Sequence, residues 1–300
     1  MSILFAIKVM EINTLAPDEH KFLQRLGDIA DPPKRLCFMG NLPTGDAPVV
    51  AIVGSRKPTS YGREVTERLA TDLARAGCVV VSGLALGVDC IAQAAALAAG
   101  GVVVGVVTNE LPDISPRSNQ RLAESIMQKG GAIISEWQRG DGKTIGKWSF
   151  LERNRLVSGL ADAVIITEAA ARSGTLNTAA HALSQGRELF VVPGNITSPL
   201  SEGCNSLLKQ GAHPVTSARD ILEIIAPTTV ASSKNQQTVL PVGATPGETA
   251  ILKLLIAGIR DGDQLQQQSG LSAAEYATTL TMLEINGIIK PLGANRWTIA

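Results

Sequence analysis

The stretch from Trp137 to Arg155 concentrates residues that could do chemistry. Three of the chain's ten aromatic side chains, Trp137, Trp148 and Phe150, interleave there with Arg139, Lys143 and Lys147, and Arg153-Asn154-Arg155 follows. Exposed rings offer faces on which bases stack, while neighbouring cations track a phosphate backbone, so the pattern suits a single-stranded nucleic acid. The bland reading of the same residues is a pair of core rings beside a solvated charged face. Position favours binding, because the cluster falls in a strand-to-helix connection beside three glycine-bearing turns.

Those turns are Gly54-Ser55-Arg56, Ser82-Gly83-Leu84 and Ser173-Gly174-Thr175, each following a β-branched run. In an open α/β sheet such turns gather at the carboxyl ends of the strands, where ligands bind. Ser173-Gly174-Thr175 opens a helix, whose free N–H groups suit a phosphate, and Arg56 adds a charge from the neighbouring turn. Any one turn is equally well explained as a helix cap or a loop-shortening device. Three on one edge point to a phosphate site.

Other chemistries find little support. Gly54 to Thr59 does not spell the GxGxxG of a dinucleotide site, and Gly140 to Thr144 imitates the end of a P-loop but has Trp137 where the first glycine belongs. His20, His181 and His213 lack metal-ligand spacing, so neither a metal nor a cofactor is expected. No nucleophile–base arrangement is evident and no catalytic residue is assigned. Asp89 reads as a helix N-cap, and Glu136 and Glu168 at strand ends stand as weak acid/base candidates.

The elements that must position these residues alternate from residue 49 to about 225. Strands are expected at Val49–Val53, Cys78–Ser82, Val102–Val107, Ala132–Glu136, Ala163–Thr167 and Leu189–Val192. Helices are expected at 62–76, 89–99, 118–129, 150–160 and 174–185, four of them stopped by Gly77, Gly100, Gly130 and Gly186. Strands this rich in Val and Ile belong to a parallel sheet covered on both faces. The fold class is therefore α/β, a Rossmann-like, doubly wound, mostly parallel sheet. Residues 1–45, punctuated by proline, read as a short appendage, 46–226 as the Rossmann-like domain, and 227–245 as a linker. Residues 246–300 read as three helices and a hairpin, a small winged-helix domain, with a capping box at Ser272 and Glu275.

Composition bounds the rest. With 45% hydrophobic and 18% charged residues in 300, disorder and coiled coil are excluded. Lys plus Arg and Asp plus Glu number 27 each, so an anion site has to be local. Cys37, Cys78, Cys90 and Cys204 form no CxxC pair, which suits a reduced, cytoplasmic chain. The uncharged run from Cys90 to Asn109 is better explained by helix, turn and buried strand than by a membrane span.

Motifs in order over residues 30–225 resemble the DNA-processing protein A family (DprA, also called Smf). They are Val53-Gly54-Ser55-Arg56 with Tyr61-Gly62, SGLALGVD at 82–89, Ser135-Glu136, FLERNRLVSGLADAVIITEAAARSGTL at 150–176, Gly186-Arg187, Pro193-Gly194, Gly203-Cys204-Asn205 and Gly211-Ala212. The resemblance implies a protein that binds and protects single-stranded DNA, helps load RecA in natural transformation or recombination, and dimerises through the Rossmann-like domain. It implies that Arg56 and Lys147 hold phosphates, that Phe150 stacks on a base, and that Arg153, Asn154, Ser173, Gly174 and Thr175 complete the pocket. The chain departs from the family at Leu86 (usually Arg), Gln93 (usually His), Cys204 (usually Thr) and Thr108 to Leu111 (usually a glycine-rich turn). The expected recognition helix of the winged-helix domain carries Glu275 and Glu284 but no Lys or Arg, and residues 246–300 hold four cations against five anions. That favours contact with other recombination proteins over reading DNA. The alternative is a hydrolase similar to the nucleoside-monophosphate phosphoribohydrolases. Gly174-Thr175 fits their phosphate motif, but Thr178 stands where they carry the catalytic Glu.

Overall fold

The structure is a computed structural model. It describes residues 11–138, 140, 142, 144, 146–227, 245–293 and 295–299, the Lys147 side chain excepted. Two compact units divide the chain, Met1–Ala231 and Ser232–Ala300. The expected linker falls almost wholly outside the described residues, as do Arg139, Asp141 and Lys143.

The first unit is built on nine strands: β1 Asn13–Leu15, β2 Leu36–Gly40, β3 Val49–Val53, β4 Val79–Ser82, β5 Val103–Val107, β6 Ala132–Ser135, β7 Ala163–Ile166, β8 Glu188–Val191 and β9 His213–Pro214. Their order is β1-β2-β6-β5-β4-β3-β7-β8-β9. From β6 to β9 all neighbours are parallel. β3 lies between β4 and β7, so the chain first winds towards β6 and then returns to wind the other way. The crevice beyond β3 and β7 is the topological switch point, where open α/β sheets bind ligands.

Alternation along the strands decides which helix covers which face. Val50 and Ile52 pack with α2 (Ser60–Arg75), α3 (Val88–Ala98), α4 (Gln120–Gln128) and α8 (Ala218–Ile225). Val49, Ala51 and Val53 pack with α1 (Lys21–Gln24), α5 (Lys147–Leu160), α6 (Thr175–Ser184) and α7 (Glu202–Lys209). All five residues of β3 are buried, as continuous β-branched runs between two helical layers require.

The described part of the 1–45 segment is built into the fold rather than appended to it. β2 pairs antiparallel with β6, Phe38 opposite Ile134, and β1 pairs antiparallel with β2. Leu23, Leu26 and Leu36 are fully buried in the same core as α5. A buried apolar run such as Leu36 to Met39 is stabilised by adding to an open sheet edge, which also covers that edge.

The second unit has its own core around Ile251, Leu252, Leu265 and Leu283. It contains α9 (Pro246–Ile256), α10 (Gly262–Ser269), α11 (Ala273–Ile285) and the antiparallel hairpin β10 (Ile289–Gly293) with β11 (Arg296–Ile299), a winged-helix arrangement. Ser272 accepts from Glu275 N while its own N–H donates to the Glu275 carboxylate, closing the capping box. Among the described residues no helix is long and apolar enough to cross a membrane.

Candidate nucleic-acid interface

Three turns meet at the carboxyl edge of the sheet and are tied together by short hydrogen bonds. Ser55 N donates to Glu168 O at 2.8 Å, joining the turn after β3 to the end of β7. Thr175 Oγ1 donates to Gly54 O at 3.1 Å, and Ser173 Oγ accepts from Thr175 N at 3.2 Å, so the start of α6 closes over the same turn. Val88 N donates to Ser55 O at 3.0 Å, bringing in the turn after β4. Gly87, at φ 79°, is required there: a Cβ would lie 2.3 Å from Ser55 O. Leu84 is strained, buried with φ at 54°, and Asn119 Nδ2 holds the turn by donating to its carbonyl at 2.8 Å.

Arg56 stands exposed on this platform, its guanidinium carbon 5.2 Å from the centre of the Phe150 ring. That is cation–π distance, and it keeps a positive charge beside a half-buried ring. Trp148, two residues earlier at the start of α5, is 76% exposed, which the core reading of that residue did not foresee. Lys147 is the first residue of α5. Gly174 precedes α6 and carries no side-chain cap, yet the first amides of α6 are not free as expected: Thr175 N is bonded to Ser173 Oγ, Leu176 N to Ser173 O at 3.1 Å and Asn177 N to Gly174 O at 3.2 Å.

Arg153 differs from the other predicted site residues. Only 6% of it is exposed, and Nη1 donates to Val106 O at 2.8 Å. Burial pushes its guanidinium down to about 10, Asp89 opposes that shift, and Arg56 adds to it. A Cβ on Gly83 would lie 1.8 Å from Arg153 Nη1, so the glycine exists in order to admit the cation. Arg153 is thus a buried charge that feels both the opposing carboxylate of Asp89 and the like charge of Arg56. Ser82 is also withdrawn: it is fully buried and its Oγ donates to Ile52 O at 2.6 Å. Asn154 Nδ2 donates to Asn177 Oδ1 at 3.3 Å, bracing α5 against α6.

The carboxylates at this edge prove structural. Asp89 is not the N-cap, since α3 begins at Val88 and Gly87 holds that position. Its Oδ2 instead accepts from Gly83 N at 3.0 Å, and burial pushes its carboxyl up. Glu168, buried, accepts from Thr59 N at 2.8 Å and Thr59 Oγ1 at 2.6 Å just ahead of α2. Glu136 takes both arms of Arg155, at 2.7 and 2.9 Å. Both glutamates are thus engaged in structural bonds. Tyr61, which spacing alone did not single out, reaches from α2 to donate to Pro193 O at 2.8 Å. Its signal was an aromatic residue two positions past Thr59, where a helix start exposes side chains.

A cavity of about 410 Å³ lies at the opposite, amino edge, lined among others by Lys21, Arg25, Asp46, Asp162 and Arg187. Its charges are used internally: Lys21 pairs with Asp46 at 2.5 Å and Arg25 pairs with Asp162. Among the described residues no group of His, Cys, Asp and Glu is arranged to hold a metal ion.

Residues 13–226 match the family model of DNA recombination-mediator protein A, and residues 235–295 match the DprA winged helix domain. Over 222 residues the chain is 38% identical to the DNA processing protein DprA of Bacillus subtilis, covering 74% of each chain. Over 272 residues it is 38% identical to the protein Smf of Escherichia coli, covering 86% of this chain and 70% of the relative. The X-ray structure of DprA from Streptococcus pneumoniae superposes with a TM-score of 0.64 at 34% identity, covering 73% of this chain and 76% of that one. DprA from Helicobacter pylori, whose structure is described as revealing a unique single-stranded DNA binding mode, gives 0.62 at 34% identity, covering 74% and 97%. With the doubly wound sheet and the winged helix both matched, the chain belongs to the DNA recombination-mediator protein A family, DprA/Smf.

Proposed function

We propose that the protein binds single-stranded DNA along the carboxyl edge of its sheet, shields it, and delivers it to the RecA recombinase in natural transformation or related recombination. The observation that carries this reading is Arg56 poised 5.2 Å over Phe150 at the switch point, a cation and a stacking ring within reach of one nucleotide. The single-stranded DNA binding described for the Helicobacter pylori relative supports it. Arg56 and Lys147 take phosphates and Phe150 takes a base. The turns at Gly54, Ser55, Ser173, Gly174 and Thr175, with Asn154, shape the groove. Arg153, Ser82 and Gly83 support it from beneath. The protein works as a homodimer in the cytoplasm, and its winged-helix unit contacts other recombination proteins, since α11 carries Glu275 and Glu284 and no cation.

Binding without turnover is supported by the engagement of Asp89, Glu136 and Glu168 in structural bonds. Thr178, buried in α6, offers no carboxylate where the phosphoribohydrolases carry one. The test is competition: a labelled oligo-dT complex is challenged with unlabelled single-stranded and duplex DNA, and the protein is incubated with nucleoside monophosphates. Displacement by single strands but not by duplex, with no free base released, is expected. Base release would replace this reading with the hydrolase. Faster RecA filament formation on protein-coated DNA is the corresponding result for delivery.

A further inference from the structure

Tyr61 is an exposed aromatic residue that the cluster on α5 does not account for. It sits in the first turn of α2, the residue 47% exposed, while its hydroxyl donates to Pro193 O at 2.8 Å. That bond links the start of α2 to the loop beyond β8, and β7 lies between β3 and β8, so the side chain spans the end of β7. Thr59, just ahead of the helix, is fixed to the Glu168 carboxylate at the same strand end. The helix start that carries Tyr61 and the tip of its side chain are therefore both anchored. With its hydroxyl already bonded, what it presents outward is an aromatic surface.

Phe150 and Trp148 stand on α5, in the layer that covers one face of the sheet, whereas α2 belongs to the opposite layer. The turns at Gly54–Arg56 and Ser173–Thr175 lie on the strand edge between these layers. Two aromatic surfaces thus flank the phosphate-suited turns from opposite sides. Rigid rings lose little conformational freedom on stacking and accept any base.

The geometry points to Tyr61 as a second base-stacking platform: a single strand entering over Phe150 and Arg56 crosses the sheet edge and lays a later base on Tyr61. This rests on the single-stranded DNA reading of the cleft. The test titrates labelled dT oligomers of increasing length with the full chain and with Tyr61→Ala, Tyr61→Phe, Tyr61→Leu and Phe150→Ala, adding oligomers in which one abasic site is stepped along the strand. Tyr61→Ala is expected to weaken binding of long oligomers roughly 5- to 150-fold, with the salt dependence kept. The loss should shrink on oligomers too short to pass Phe150 and vanish when the abasic site falls on the Tyr61 position. Tyr61→Phe should recover most of it.

If Tyr61→Ala binds every length like wild type while Phe150→Ala weakens binding, the second platform is overturned and the cleft stands. If Tyr61→Phe is as weak as Tyr61→Ala, the hydroxyl tie rather than the ring surface carries the effect, which also overturns it. Should Tyr61→Ala unfold, Tyr61→Leu is decisive: a comparable length-dependent loss supports stacking and wild-type affinity refutes it. A folded wild type that binds no single strand removes the functional reading itself.

Discussion

Arg56, Phe150 and Arg153 divide the cleft between exposed and buried roles. Arg56 and Phe150 present charge and ring to solvent, whereas Arg153 lies in the dry layer below, paired by charge with Asp89 and bonded to the Val106 carbonyl. Gly83 is the residue that permits this. Gly83→Ala should push the Arg153 guanidinium out of its slot and destabilise the protein by about 1–3 kcal/mol, read from the midpoint of urea unfolding. Phe150→Ala should leave stability near wild type but weaken oligo-dT binding by about 1–3 kcal/mol at constant salt dependence. That Arg56 and Phe150 meet at one sheet edge was legible from residue type and position. The burial of Arg153 was not, because it depends on the approach of Gly83 across 70 residues of sequence, which no local pattern records. Asp89 misled for a related reason: its carboxylate bonds backward to Gly83 N rather than forward to the helix.

At the scale of elements, the turn after β3 is held by β7 as much as by its own chain. Glu168 supplies a carboxylate to Thr59 and a carbonyl to Ser55, fixing both the start of α2 and the Arg56 turn. Glu168→Ala should leave the Thr59 donors unpaired and cost about 1–3 kcal/mol, seen in thermal or urea unfolding. Glu168→Gln, which keeps an acceptor, should recover part of the loss. The six central parallel strands were legible to within a residue, because burial on both faces demands continuous β-branched runs. β1 and β2 were not, since they are short, flanked by proline, and owe their conformation to pairing with β6. β9 is a two-residue strand, His213–Pro214, ordered by β8 alone. α7 buries only Gly203, Cys204 and Leu207, too few for a clear helical period.

For the molecule as a whole, balanced charge makes local potential decisive, and two buried thiols add a sensitivity to alkali. Burial pushes both Cys78 and Cys204 up to about 11 from an ordinary 9.0. A thiol raised in this way keeps its proton in the fold while the unfolded chain loses it, so its contribution is full below pH 9 and fades as pH rises towards 11. Unfolding in urea under reducing conditions should therefore show a loss of about 1.4 kcal/mol per thiol on going from pH 8 to pH 10, and Cys78→Ala with Cys204→Ala should flatten it. If Arg56 holds a phosphate of single-stranded DNA, oligo-dT affinity across a salt series for wild type and Arg56→Ala reads it out. The expected result is salt-sensitive binding by wild type and a variant whose log–log slope is smaller by about 0.7, one phosphate contact on a single strand. A variant with wild-type affinity and slope would mean that Arg56 holds no phosphate, and a folded wild type that does not bind at low salt would mean that the cleft is not a single-strand site.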